Sequence, residues 1–103
     1  MPVIVTAVFH PLEGHHGDLI AALRDTIPAV HAEAGCWLYA IHDAEDGTIT
    51  MIEKWDSREL LDAHASGPAV AALNAAVEGF LAAPTTVTLM DPLPAGQPAL
   101  GEL

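Results

Sequence analysis

The segment Cys36–His42 most narrows what this chain can fold into. Read as a strand, it places Trp37, Tyr39 and Ile41 on one face and Cys36, Leu38 and Ala40 on the other, and both sets are apolar. Such a strand needs cover on both sides. A chain of 103 residues builds one domain, whose helices can cover only one face of a small sheet. The other face calls for cover the chain itself does not supply, so sheet-to-sheet packing in a homodimer is the physical expectation.

The flanking patterns supply the other elements. Val3–Phe9 is apolar and rich in β-branched residues, closes at His10-Pro11, and reads as a buried strand. After a turn, Leu19, Leu23, Ile27 and Val30 share one helical face, with Asp18 at the positive end of the helix dipole. Pro28 falls inside that pattern and predicts a kink or a break, and Gly35 ends the segment. Thr48–Trp55 reads as a third strand, joined to Cys36–His42 through Asp43-Ala44-Glu45-Asp46-Gly47, where Asp-Gly is a hairpin signal.

Asp56 followed by Glu59 predicts a capping box for the next helix. Ser66-Gly67-Pro68 stops that helix and starts another, whose apolar face runs through Val70, Leu73, Val77, Phe80 and Leu81. Pro84 is expected to end it, and Thr85–Met90 to form the fourth strand. The order β-α-β-β-α-β is that of an α+β, ferredoxin-like split unit: a four-stranded antiparallel sheet with helices on one face. This domain is expected over residues 1–92, with a Pro/Gly-rich C-terminal tail over 93–103.

Charge and cysteine content then remove whole classes of function. Three Lys+Arg against fourteen Asp+Glu give a formal net charge of −11, which repels phosphate backbones and anionic lipid heads. Neither nucleic acid nor a membrane surface is an expected partner. The single cysteine, Cys36, allows no internal disulfide and no Cys-rich zinc site, and without a neighbouring cation it reads as a small apolar packing residue. No basic leader precedes an apolar stretch, and no apolar run reaches the roughly 20 residues of a bilayer span, so a cytoplasmic location is expected.

Histidine is the residue type that invites a chemical reading. His10, His15, His16, His31 and His42 show no paired spacing on a helix face and no H-E-x-x-H, and they read as surface or turn residues; no metal is expected. There is no Gly-rich phosphate loop, no G-x-S-x-G elbow and no dinucleotide fingerprint, which removes the common kinases, hydrolases and nicotinamide enzymes. His64 differs: it shares a helical face with Leu60 and Leu61 and is a candidate general base, or else a histidine that fixes its helix to the sheet.

Glu53 and Trp55 stand two apart on one strand and share a face. Trp55 could wall a planar ligand or simply fill the core. Glu53 needs a partner if buried, with Arg58 or a group from a second chain as candidates. The Tyr39 phenol could hold a substrate oxygen or satisfy a backbone carbonyl.

Glu33-Ala34-Gly35-Cys36-Trp37-Leu38-Tyr39, Ile52-Glu53-Lys54-Trp55-Asp56-Ser57 and Leu61-Asp62-Ala63-His64 together resemble the antibiotic biosynthesis monooxygenase (ABM) domain family: E-x-G-C-x-x-Y, E-x-W-x-S, and a helix ending in A-H. The resemblance spans roughly Val3 to Pro92. It implies a dimeric α/β barrel in which two sheets face each other, with a pocket in each subunit between sheet and helices. It also implies a cofactor-independent oxidation of a small phenolic or quinol-type aromatic by O2. In that reading His64 takes the phenolic proton, the resulting anion passes an electron to O2, and the pair recombines, with Trp55, Tyr39 and Glu53 on the substrate. Haem-degrading relatives carry an Asn on the first strand; Val3–Phe9 has none, which argues against haem degradation while leaving haem binding through His64 open. Two rival readings stand beside it: a non-catalytic ligand-binding or structural dimer, and an isomerase or cyclase using the same histidine.

Overall fold

The computed structural model describes residues 1–103 and has the order β1 (Val3–Pro11), α1 (His16–His31), β2 (Cys36–Asp43), β3 (Ile49–Trp55), α2 (Arg58–Ala65), α3 (Pro68–Val77), a 3₁₀ turn (Glu78–Phe80), β4 (Leu81–Met90) and a one-turn α4 (Pro98–Gly101). The strands form one antiparallel sheet in the order β2-β3-β1-β4. The expected α+β, ferredoxin-like arrangement is therefore present. The hairpin turns at Gly47, whose φ of 88° only glycine adopts readily, and Asp46 closes it by accepting from the Thr48 N–H and hydroxyl.

The core lies between the sheet and the helices. Val3, Val5, Ala7 and Phe9 of β1 and Ile49, Met51 and Trp55 of β3 point to this side, and Leu19, Leu23, Ile27 and Val30 of α1 meet them with Leu73 and Val77 of α3. The opposite side carries Ile4, Thr6 and Val8, Leu38 and Ala40, and Thr50, Ile52 and Lys54, none of which belongs to that core.

Four local expectations give way to the tertiary structure. First, β2 does not alternate throughout. Its ladder with β3 shifts between Cys36 and Leu38, so Cys36 opposes Trp55 and packs toward the core while Tyr39 opposes Glu53. Trp37 is the extra residue of this bulge and is left 56% exposed, with the Lys54 ammonium 5.4 Å from its ring centre. Trp37 and Cys36 thus exchange the faces that simple alternation assigns them.

Second, α1 passes through Pro28 without a break. Proline withdraws one donor, but Arg24, whose carbonyl loses it, is exposed, and the helix ends within a turn. The Thr26 hydroxyl also donates to the Ala22 carbonyl at 2.9 Å. Third, Ser57 rather than Asp56 caps α2, its hydroxyl accepting from the Leu60 N–H at 3.2 Å. Fourth, α3 ends at Val77, and Pro84 lies inside β4 instead of before it. β4 is an edge strand whose register against β1 shifts near Pro84, and an edge irregularity is where a residue without an N–H fits. After Met90 the chain makes only the α4 turn; Leu93 and Leu100 are exposed, and the Leu103 carbonyl accepts from Lys54 Nζ.

Candidate functional site

The two helices after β3 do not fill all the space above the sheet. A cleft of about 500 Å³ opens there, floored by Val5, Ala7 and Phe9 of β1 and by Thr85, Val87 and Leu89 of β4. Leu61 of α2 and Val70 and Leu73 of α3 form its roof, and Arg58, Asp62 and Asn74 also border it. Its lining is mainly apolar, and the polar side chains reaching it from the core side are Tyr39, Glu53 and His64. A space of this size with a few convergent polar groups fits a small organic ligand.

His64 sits in the last turn of α2, 5% exposed, one turn after the buried Leu61. Its Nδ1 is 2.8 Å from Glu33 Oε1. The Trp55 ring lies 4.5 Å from the imidazole in a tilted stack, and the Tyr39 ring meets it edge-on at 5.5 Å. Trp55 Nε1 in turn donates to Glu53 Oε1 at 2.9 Å. No polar side-chain atom is sealed away without a hydrogen-bond partner. His64 Nε2, Glu53 Oε2 and the Tyr39 hydroxyl have no partner in the chain, so each keeps an opening, and all three residues border the cleft.

The electrostatics follow from burial. Glu53 is 5% exposed, and desolvation raises its carboxyl above the usual range; the Trp55 N–H and the nearby His64 offset this only in part. Burial is also the main force pushing the Tyr39 phenol up, with the Glu53 and Glu33 charges adding to it, so Tyr39 is held neutral. Cys36 is likewise raised by burial and then by Glu33 and Glu53, the reverse of what a reactive thiolate needs.

The sequence candidates fare differently. Tyr39, Glu53 and His64 come together on the helix-covered side of the sheet, since Glu53 pairs across to both Tyr39 and Val5. Trp55 is fully buried and does not border the cleft; it backs the imidazole instead of walling the ligand space. Glu53 pairs with the Trp55 indole and not with Arg58, which bonds Asp62 one turn along its own exposed helix face. The remaining histidines are each engaged elsewhere: His10 with Thr86, His15 with Asp18, His16 with Asp43, His31 with the Tyr39 carbonyl and His42 with the Thr50 carbonyl.

Glu33, which carried only a place in a spacing pattern, proves to touch the imidazole; its position two residues before Gly35 was the available signal. A second hollow, about 310 Å³, lies along β2 beside His31, Cys36 and Trp37. Its one histidine is already committed to a backbone carbonyl, and it gathers no comparable polar group.

Fold and site define a ferredoxin-like α+β domain with a helix-covered cleft and a histidine opening into it. The model of the antibiotic biosynthesis monooxygenase family matches residues 2–82, and the chain belongs to that family. It is 34% identical over 93 residues to Rv0793 of Mycobacterium tuberculosis, whose name proposes a monooxygenase activity; the match covers 89% of this chain and 92% of the relative. The solved structure of Rv0793 superposes with a TM-score of 0.84 at 33% identity, over 94% of this chain and all of the other. PA3566 from Pseudomonas aeruginosa shares the fold with a TM-score of 0.79 at 24% identity, over 89% of this chain and 94% of its own. So does a conserved protein of Methanosarcina mazei, with a TM-score of 0.81 at 17% identity, over 87% and 91%. No helix is long and apolar enough to cross a membrane.

Proposed function

We propose that this member of the monooxygenase family oxidises a small phenolic or quinol-type aromatic with O2, without a metal or organic cofactor. The observation that carries the reading is His64 Nε2, free of any protein partner beside an apolar cleft of about 500 Å³. A planar aromatic lies between the β1–β4 floor and Val70 and Leu73, its hydroxyl toward His64. The imidazole takes the phenolic proton, and the electron-rich anion reduces O2 by one electron. Recombination forms a C–O bond; loss of the ring hydrogens then yields a quinone, with the second oxygen leaving as water.

The chain's contribution is to orient the substrate, exclude water and accept the proton. Tyr39, held neutral, donates to a substrate oxygen, and Glu53, whose second carboxyl oxygen has no partner in the chain and borders the cleft, hydrogen-bonds a substrate hydroxyl. The side of the sheet that no helix covers carries the apolar Ile4, Val8, Leu38, Ala40 and Ile52, which supports a homodimer with that face buried.

The test is oxygen uptake by metal-stripped protein on hydroquinones, naphthoquinols and anthrone-type phenols, against a protein-free autoxidation blank. Uptake above the blank that falls at least about a hundredfold in His64→Ala is the expected result. Equal uptake in both proteins would remove His64 from the mechanism. Turnover that survives without oxygen would replace the oxygenase reading with an isomerase or cyclase.

A further inference from the structure

We infer that Glu33 is the positioning residue of this site: its carboxylate holds His64 in the Nδ1–H tautomer, leaving the Nε2 lone pair open to the cleft. The inference rests on the reading of His64 as proton acceptor. A neutral imidazole has one N–H and one lone pair, and an ionised carboxylate only accepts hydrogen bonds. The 2.8 Å contact between Glu33 Oε1 and His64 Nδ1 therefore places the proton on Nδ1, and Nε2 becomes the basic nitrogen.

The remaining neighbours of the ring fix its plane without choosing its tautomer. Trp55 stacks on it and Tyr39 meets it edge-on, and Glu53, the other carboxyl facing it, accepts instead from the Trp55 indole. Asp62 and Arg58, on His64's own helix, bond each other. Glu33 alone hydrogen-bonds the ring.

The contact joins residues 31 apart in sequence, and the backbone is built to bring them together. Glu33 follows Ala32, the C-cap of α1, and its N–H donates to the Val30 carbonyl at 3.0 Å. Gly35 turns the chain with a φ of 77°, and a Cβ there would lie 2.4 Å from Leu60 Cδ1 on α2. The Gly35 carbonyl accepts from the Asp56 N–H at 2.9 Å, tying this loop to the start of the same helix. The Glu-x-Gly spacing is thus a device for delivering a carboxylate to the back of the imidazole.

The experiment reads the tautomer directly. Long-range ¹H–¹⁵N correlation spectra of histidine-labelled protein are recorded at mildly alkaline pH for wild type, Glu33→Gln and Glu33→Asp, with His64 assigned by its loss in His64→Ala. The expected pattern is a protonated Nδ1 in wild type and Glu33→Asp, and a shift toward protonated Nε2 in Glu33→Gln. Oxygen uptake should show kcat falling roughly 10- to 1000-fold in Glu33→Gln with KM little changed, and recovery in Glu33→Asp. Protonated Nε2 in wild type, an unchanged tautomer in Glu33→Gln, or a changed tautomer with unchanged kcat would each overturn the inference. Loss of the catalytic reading looks different: His64→Ala would keep wild-type uptake, whatever the ¹⁵N spectra show of Glu33.

Discussion

The helix-covered side of the sheet has a filled half and an open half. Over β3, Ile49, Met51 and Trp55 are 1%, 0% and 0% exposed, closed in by the helices. Over β4, Val87 and Leu89 point to the same side yet stay 56% and 41% exposed. The helices are long enough to seal the central strands but leave one edge strand short of cover, and the uncovered strip becomes the cleft. His64, Glu53 and Tyr39 stand at the seam, held by the packed half and presented to the open one. The same residues would be inert if the packing were completed, and poorly oriented if it were looser.

Substitutions on the two sides of that seam should separate stability from binding. Trp55→Ala should cost about 3–5 kcal/mol in urea unfolding, because it empties a sealed site and leaves Glu53 Oε1 without its donor. An effect as small as that of a surface change would show that the packed half is not packed. Gly35→Ala should cost about 1–3 kcal/mol, since it combines a positive φ with a clash on Leu60. Thermal melts that leave it as stable as wild type would mean that the loop carrying Glu33 is not anchored to α2.

Glu53 sharpens the comparison through pH. Its folded-state pKa is raised, chiefly by burial, so the folded protein binds this proton more tightly than the unfolded chain. That contribution to stability is complete below the ordinary carboxylate value and is lost as pH rises through the raised one. Glu53→Gln should therefore flatten the decline of stability from acid toward neutral pH, as measured by urea midpoints across the range. A slope identical to wild type would place Glu53 outside the packed half. The smallest effect on stability belongs to Val87→Trp, within about 0.5 kcal/mol because the site is open. Its consequence is for binding: the indole fills the cleft and abolishes uptake on any aromatic substrate. A variant that turned over normally would move the substrate to another part of the surface.

Much of this was readable beforehand, though unevenly. Leu19, Leu23, Ile27 and Val30 share a helix face because burial repeats with the helical period, and all are buried. The Asp46-Gly47 hairpin and the Gly67-Pro68 start of α3 depend on residues whose backbone preferences act locally, and they fall where those preferences point. Tyr39, Glu53 and His64 were visible as candidates from their spacing. For Trp55 the sequence left core and ligand wall as alternatives, and the choice fell to a stack on an imidazole from another element, which has no sequence period.

The sequence by itself determined the type and order of the four strands and of the three helices before β4, since periodicity, glycine, proline and capping residues act within a few positions. Only the tertiary structure decided the rest. A one-residue bulge sent Trp37 outward and Cys36 inward, an edge strand took in Pro84, and a glycine turn carried Glu33 to His64. Each of these turns on a contact between distant segments, where one residue of register or a few ångströms of approach reverses the outcome.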